Sequence, residues 1–397
     1  MYNHSRFGAE QRSQGMSARA QRSLRERYDA QSAVVSRAPG RLELLGGHTD
    51  YNQGFVCAIA IERSAVVAAA PRDGGLVRVW SEAMGEDACF SLADAEDGAV
   101  GTWRDYLAGV IWALREWGCP VTGADLVVVS DVPVAGGVSS SAAVEVAYAL
   151  ALTSMAGFTM APKELALLCQ RAENEYVGMR CGILDQFTAV LAGRGQAMWL
   201  DCRSREHRLV PVAGQDLRFV VCDTRKPREL VVSRYNELRA QCEEAARLLG
   251  VPALRDLDSA TLQAKQRLLT ETLTKRVRHV VTENERVQEG LALLEAGNIA
   301  GLGDLLSRIH VSLRDDYEVS CPELEAMREA ALAAPGCHGA RLVGAGFGGC
   351  VIAVVDTDAV AQFQAQVAQE YEQAIGMTPV IFATQPGEAA GLLSPQG

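Results

Sequence analysis

No two of the eleven cysteines in this 397-residue chain are spaced Cys-x-x-Cys. A zinc ribbon and a dithiol redox motif are thereby excluded, and the odd number in apolar settings points to reduced, buried thiols in a cytoplasmic protein. Long apolar runs are missing too: stretches such as residues 351–355 fall far short of a membrane span. Positive charge is scarce, with 38 Lys and Arg against 49 Asp and Glu and a formal net charge of -11. A nucleic-acid surface needs the opposite balance along at least one face. Gly-x-x-x-x-Gly-Lys-Ser/Thr is absent, which removes the P-loop from the ways this chain can hold a nucleotide. There is no internal repeat or low-complexity tract.

The length exceeds that of a usual single domain, and 48% hydrophobic with 22% charged residues is ordinary globular usage, so two packed domains with a sizeable core are expected. The first 37 residues hold seven Arg against three acids without the apolar stretch of a secretory signal. They read as a loose arm ahead of a helix over 19–28. Apolar alternation predicts a strand at 34–35, a strand or hairpin over 55–70 and a buried strand over 126–130, then a glycine loop and a helix over 139–155. Helical patterns follow over 162–178, 234–249, 254–271 and 276–295. From Gly339 the order is glycine loop, strand 351–355, helix 359–374, strand 379–383 and a tail of about a dozen residues. The pattern is α+β, with a boundary near 203–217, where the chain passes Pro211 and Gly214. The expected division is an arm and helix over 1–32, an N-terminal domain over 33–210 and a C-terminal domain over 211–397.

Three segments carry the chemistry. The first runs from Pro39 through Gly40, Arg41, Gly46, Gly47, His48 and Asp50 to Gly54. Its side chains offer donors and acceptors for a polyhydroxylated ligand, and they equally suit a tight surface turn in which Asp50 caps its own backbone. The second, Asp131-Val132-Pro133-Val134-Ala135-Gly136-Gly137-Val138-Ser139-Ser140-Ser141, lies between a strand and a helix. Backbone N–H groups and the positive end of the helix can converge there on a phosphate, while the serines either cap the helix or reach a phosphate-bound Mg²⁺. The third, Gly344-Ala345-Gly346-Phe347-Gly348-Gly349, satisfies Gly-x-Gly-x-x-Gly but runs into a strand, so a dinucleotide site fails on context. Such a loop lets two backbones, or a backbone and a ligand, approach closely.

In this order the three segments resemble the GHMP superfamily of small-molecule kinases. Gly40-Arg41-Leu42-Glu43-Leu44-Leu45-Gly46-Gly47-His48-Thr49-Asp50-Tyr51 is similar to the galactokinase signature within it. Cys181-Gly182-Ile183-Leu184-Asp185-Gln186-Phe187, Ser233-Arg234-Tyr235-Asn236 and the stretches 278–286 and 312–320 agree, so the resemblance covers about 38–382. It implies a two-domain α+β GHMP kinase fold with the active site in the cleft between the N- and C-terminal domains. The implied activity is transfer of the γ-phosphate of ATP to the anomeric hydroxyl of D-galactose or a galacto-configured relative. Asp185 would serve as base or orienter beside that hydroxyl, with Arg41 between it and the γ-phosphate. Gly47, His48, Asp50, Gly182 and Tyr235 match sugar-holding positions. Gly136, Gly137, Ser139, Ser140 and Ser141 match the phosphate loop, Ser141 and Glu173 the Mg²⁺ ligands, and Trp103 an aromatic near adenine, although a core Trp on a helix fits it nearly as well. The implied partners are a sugar and ATP, with no nucleic acid and no membrane, and the protein is expected to be a cytoplasmic monomer or weak dimer.

Two positions inside the signature depart from the family. Gly47 stands where galactokinases have a Glu that binds the C6 hydroxyl, and Glu43 where they have an Asn. Without that Glu a C6 carboxylate is not repelled and a sugar lacking C6 strands no buried charge, so galacturonokinase and L-arabinokinase stand as alternatives. The Gly-Gly pair with an acid at 43 is similar to arabinokinases of the superfamily. Galactokinase-like sensors that bind sugar and ATP without catalysis are the alternative of another class; they typically carry a damaged serine loop, which is unbroken here at Ser139-Ser140-Ser141. Arg180, close to Asp185 in sequence, either adds positive charge to the cleft or lies solvated on the surface, and His279 and His310 read as structural histidines.

Overall fold

The computed structural model describes residues 2–134, 136–212, 216–226 and 231–394. Gly214 of the expected boundary and Ala135 of the second glycine segment lie outside them. In chain order the elements are α1 (Tyr2–Tyr28), β1 (Val34–Leu45), β2 (Phe55–Arg72), β3 (Leu76–Ser81), β4 (Glu86–Ser91), α2 (Asp105–Glu116), β5 (Gly123–Ser130) and α3 (Ser140–Met155). There follow α4 (Pro162–Arg171), α5 (Leu184–Leu191), β6 (Gln196–Asp201), β7 (His207–Pro211), β8 (Leu217–Asp223), α6 (Val231–Leu249), α7 (Ser259–Lys265) and α8 (Glu271–Glu295). The chain closes with α9 (Ile299–Asp315), α10 (Pro322–Ala333), β9 (Cys337–Val343), β10 (Cys350–Asp356), α11 (Val360–Ile375), β11 (Val380–Thr384) and β12 (Gly391–Leu393).

Two sheets organise these elements. The first has the order β12-β1-β2-β5-β3-β4, with β6 paired to the start of β2 and β7 to β6. The second is antiparallel, in the order β11-β8-β10-β9. The chain leaves the first sheet after β7 and enters the second at β8. β2 is long enough to serve two partners on one edge, β6 over Phe55–Ala58 and β5 over Ala65–Arg72, because its Val, Ile and Ala residues are buried almost throughout. β1 runs alongside it with register shifts between Pro39 and Arg41 and between Glu43 and Leu45. The first shift matters for the site: Gly40 lies so close to the second glycine segment that a Cβ there would sit 2.6 Å from the Val138 carbonyl, and the Arg41 amide donates to that carbonyl.

Met16, Ala20 and Leu24, four residues apart on one stripe of α1, pack on Val35, Val66, Ala68, Val127 and Val129 of the first sheet. A fully buried Leu such as Leu24 contributes about 2 kcal/mol. The opposite face carries α3, whose alanines allow close approach and whose Ala147 carbonyl accepts from Ser36 Oγ. Helix α8 closes over the first signature segment through Glu283 and His279, and Leu313 of α9 lies beside Gly47. Among the described residues no helix is long and apolar enough to cross a membrane.

Four expectations need correction. The arm before residue 19 is helical from Tyr2, since its Arg, Gln, Ser and Ala residues tolerate a helix and only Gly8 and Gly15 oppose it. The single helix over 254–271 is broken into α7 between two 3₁₀ turns, because Asp258 and Thr270 each accept a backbone N–H and start a new helix. The helix over 162–178 continues after Arg171 as a π turn, Ala172–Val177. Within the tail Gly391–Leu393 forms β12, which pairs antiparallel with Val35–Arg37, so this part of the expected 211–397 domain returns to the first sheet. No disulfide joins any of the eleven cysteines, of which seven are buried, while Cys89 is exposed.

Candidate active site

A cavity of about 450 Å³ opens between the first sheet with its helices and the Gly344-Ala345 loop joining β9 to β10. Its centre is an ion pair. Arg41 Nε and Nη2 lie 2.8 and 2.7 Å from Asp185 Oδ1, Arg41 Nη1 donates to the Gly137 carbonyl at 2.7 Å, and Ser139 Oγ donates to Asp185 Oδ2 at 2.5 Å. Arg41 comes from β1 and Asp185 from the first turn of α5, so two segments 144 residues apart converge on the second glycine segment. Ser139 is held at φ 59, in the left-handed region that a serine adopts at a cost of about 1 kcal/mol. That strained turn aims its hydroxyl at the aspartate while α3 begins at the next residue.

On one side of the pair lie His48, Asp50 and Tyr235. His48 Nδ1 shares a proton with Tyr51 Oη at 2.9 Å, Tyr51 Oη meets Tyr317 Oη at 2.7 Å, and Tyr317 Oη meets Cys242 Sγ at 3.2 Å. The other ring nitrogen, Nε2, is buried without a hydrogen-bond partner among the described residues. Burial pushes the imidazole down to about 3, so the ring is neutral. Burial, with Asp185 and Glu43 nearby, pushes the Asp50 carboxyl up to about 7, and the Tyr51 amide and Arg41 pull back only in part. Gly182 packs directly on Asp50: a Cβ there would stand 1.8 Å from Asp50 Oδ2. Gly47 and its neighbours are pinned from α8, where His279 Nε2 bonds the Gly47 carbonyl at 2.9 Å and Glu283 Oε1 accepts from the Gly46 amide at 2.9 Å.

On the other side are Gly137, Ser139, Ser140 and Ser141 at the start of α3, with Val134, Met84 and Trp103 at the rim. Trp103 belongs to the turn before α2, not to a helix, and its Nε1 donates to Glu86 Oε2 at 2.9 Å. Ser141 Oγ donates to Glu173 Oε1 at 2.9 Å, and Gln186 Nε2 holds Glu173 Oε2 at 2.7 Å. Burial and the nearby Asp185 push Glu173 up to about 7. Gly136 sits behind this wall, its carbonyl accepting from Cys350 Sγ. The third glycine segment makes the close approach expected of it, since a Cβ on Gly344 would meet the Gly137 carbonyl at 3.2 Å.

The GHMP kinases N terminal domain matches residues 105–193, the galactokinase galactose-binding signature residues 22–71 and the GHMP kinases C terminal domain residues 291–373. The galactokinase of Roseiflexus sp. (strain RS-1) is 43% identical over 93% of this chain and 96% of its own length. The human galactokinase is 38% identical over 95% and 96%. The chain belongs to the galactokinase family of GHMP kinases. Among solved structures, the Lactococcus lactis galactokinase complexed with galactose superposes with a TM-score of 0.90 at 35% identity, covering 94% of this chain and 98% of that one. The Methanococcus jannaschii mevalonate kinase, 16% identical, shares the fold with a TM-score of 0.66 over 89% of this chain and 98% of that one.

Within this galactokinase-family cavity the sequence-predicted residues Arg41, His48, Asp50, Trp103, Gly137, Ser139, Ser140, Ser141, Asp185 and Tyr235 all line the wall. Gly136, Gly182, Glu173 and Gly47 support it from behind through the contacts above. Arg180 faces away: its guanidinium pairs with Glu243 and is half-exposed. His279 holds the Gly47 carbonyl, and His310 bonds Glu325 away from the cavity. Sequence reasoning missed Arg341, which is fully buried and salt-bridged to Glu43, as well as the Tyr51–Tyr317 relay behind His48. An Arg inside the apolar strand β9 was the available signal for the first.

Proposed function

We infer that the protein is an ATP-dependent sugar 1-kinase, transferring the γ-phosphate of ATP to the anomeric hydroxyl of D-galactose. The observation that carries this reading is the Arg41–Asp185 contact, set in one cavity between the His48, Asp50 and Tyr235 wall and the serine loop. ATP phosphates fit at the N-terminus of the 16-residue α3, where unpaired backbone N–H groups and the helix dipole favour negative charge. The sugar fits on the other side, with Asp50 accepting two neighbouring hydroxyls beside the His48 and Tyr235 rings.

Asp185 Oδ1 is taken by two nitrogens of Arg41, whereas Oδ2, which accepts from Ser139 Oγ, keeps a lone pair for the anomeric hydroxyl. Asp185 thus fixes the direction of that oxygen toward the γ-phosphorus. Phosphoryl transfer passes through a loose transition state, so the hydroxyl gives up its proton late and a carboxylate paired to Arg41 suffices to take it. Arg41 faces the charge that develops on the transferring group.

Ser141 on the cavity wall and Glu173 just behind it are hard oxygen donors 2.9 Å apart, the residues that would hold Mg²⁺ beside the phosphates. Bound there, Mg²⁺ supplies charge neutralisation on the phosphates. The thiols, most of them buried, suit a cytoplasmic setting.

³¹P NMR of a reaction with ATP, Mg²⁺ and D-galactose is expected to give a sugar phosphate coupled to H1. Phosphate on the primary hydroxyl, or no turnover of any hexose, overturns the reading. Asp50 adds a pH signature. With its carboxyl at about 7, the sugar-free protein is half protonated there near neutrality, while the sugar hydroxyls require the anion. Sugar binding is therefore expected to release about half a proton per molecule at pH 7 and to tighten as pH rises from 6 to 8. In the sugar-free protein the raised value means the opposite for stability: this group favours the fold below about 4, and that contribution is lost as pH rises through about 7. Calorimetry in buffers of different ionisation enthalpy reads the released proton, and Asp50→Asn abolishes it; release that survives in Asp50→Asn contradicts the assignment.

A further inference from the structure

Glu43 is a buried carboxylate on the cavity wall. Its Oε1 is held at 2.9 Å by Arg341 Nη2, whose guanidinium also donates to the Glu43, Leu44 and Leu342 carbonyls and is fully buried. Oε2 has no hydrogen bond among the described residues, yet it is not among the sealed polar atoms that lack partners. It therefore has access to the cavity. A side chain at Gly47 would begin 3.3 Å from Glu43 Oε1, so the missing side chain is what leaves the carboxylate room beside His48. Stability does not account for the pair, since apolar residues in place of a buried ion pair are commonly neutral or stabilising.

Position along the strand says which end of a ligand Glu43 meets. Arg41, Leu42 and Glu43 pair in unbroken register with Ala60, Ile59 and Ala58. Leu42 turns into the core, so Arg41 and Glu43 leave the other face together about 7 Å apart. With Arg41 at the reacting anomeric end, Glu43 stands about one sugar ring away, at the end bearing the exocyclic carbon. The geometry points to Glu43 as the residue that selects the sugar by its exocyclic group: Oε2 accepts a hydrogen bond from a neutral C6 hydroxyl and repels a C6 carboxylate. Burial pushes the Glu43 carboxyl up while Arg341 and Arg41 pull it back, and the groups facing that space are Glu43, Asp50 and Asp185 with Arg41 and Arg341 already paired to carboxylates and His48 neutral, which leaves no spare cation for a uronic acid. This deepens the sugar-kinase reading and rests on it.

The test compares kcat/KM for D-galactose, 6-deoxy-D-galactose and D-galacturonate at saturating ATP in the wild type and in Glu43→Gln, which keeps the Arg341 contact through its amide oxygen. The wild type is expected to lose about 10-fold or more on the 6-deoxy sugar and about 100-fold or more on the uronate. Glu43→Gln is expected to shrink the galactose-to-galacturonate ratio about 100-fold, through KM for sugar, with KM for ATP unmoved. A wild type that uses the 6-deoxy sugar as well as galactose, a measurement independent of any variant, overturns the proposal while leaving the kinase reading intact. So does an active Glu43→Gln with the wild-type sugar ratio. No turnover of any sugar by the wild type overturns the kinase reading and this one with it.

Discussion

Asp185→Asn is expected to fold and to lose about a thousandfold in kcat, with sugar and ATP still binding within a few-fold. The substitution keeps the shape of the side chain, and Arg41 retains the Gly137 carbonyl at 2.7 Å, so the loop it anchors stays in place. What disappears is the charge opposite a guanidinium whose side chain is only 9% exposed. Removing one partner of such a pair costs stability, here about 1–3 kcal/mol because the aspartate is partly open to the cavity. A melting curve would register that loss without unfolding at room temperature. The kinetic loss is larger. An amide neither takes the anomeric proton nor orients the hydroxyl through a charged acceptor, and a thousandfold corresponds to about 4 kcal/mol of transition-state stabilisation. Arg41→Ala should lose as much, and the double variant little more, because the two groups act as one unit. A coupled assay for ADP with parallel melting curves separates turnover from fold. Near-wild-type kcat in a folded Asp185→Asn would place the chemistry elsewhere.

The residues that meet in this cavity were legible in the sequence to different degrees, for physical reasons. Glycines announce themselves where a backbone must pass close to something, and Gly137, Gly182 and Gly344 each sit at such a contact. The serines after Gly137 combine a helix start with hydroxyl donors, a pairing readable without coordinates. That Arg41 meets Asp185 was not readable from spacing, since 144 residues separate them; only the resemblance to a family joined them. Glu173 carries no local signal at all, because the π turn that delivers it looks like ordinary helix in sequence. Glu43 stood out only as a departure from the family signature and Arg341, 298 residues away, was missed, because their pairing shows only once β9 is seen behind β1. Short β12 escaped notice because three residues cannot display a period of two. Propensity alone ran 254–271 together as one helix, where two side-chain caps divide it.

Gly182→Ala is expected to raise the KM for sugar about 100-fold while leaving the KM for ATP unchanged, although the substitution adds only one methyl group. Its Cβ would stand 1.8 Å from Asp50 Oδ2, 2.2 Å from Cγ and 2.8 Å from Cβ, so the overlap spans the whole carboxylate and rotating one oxygen away does not relieve it. Either Asp50 swings out of the cavity or the loop before α5 retreats. Asp50 sits on a short 3₁₀ turn whose neighbour Asn52 is tied to the His48 carbonyl, whereas Leu184 and Phe187 seat α5 in a packed apolar cluster, so the side chain of Asp50 gives way first. The sugar then loses a charged acceptor for two hydroxyls, a loss the size of two charge-assisted hydrogen bonds. The same reasoning supplies its own control. In an Asp50→Gly background there is neither carboxylate nor Cβ to displace, so adding Gly182→Ala should cost almost nothing further in sugar KM. If Gly182→Ala instead costs the full factor in both backgrounds, its effect runs through α5 and Asp185 rather than through Asp50, and a matching fall in kcat would accompany it.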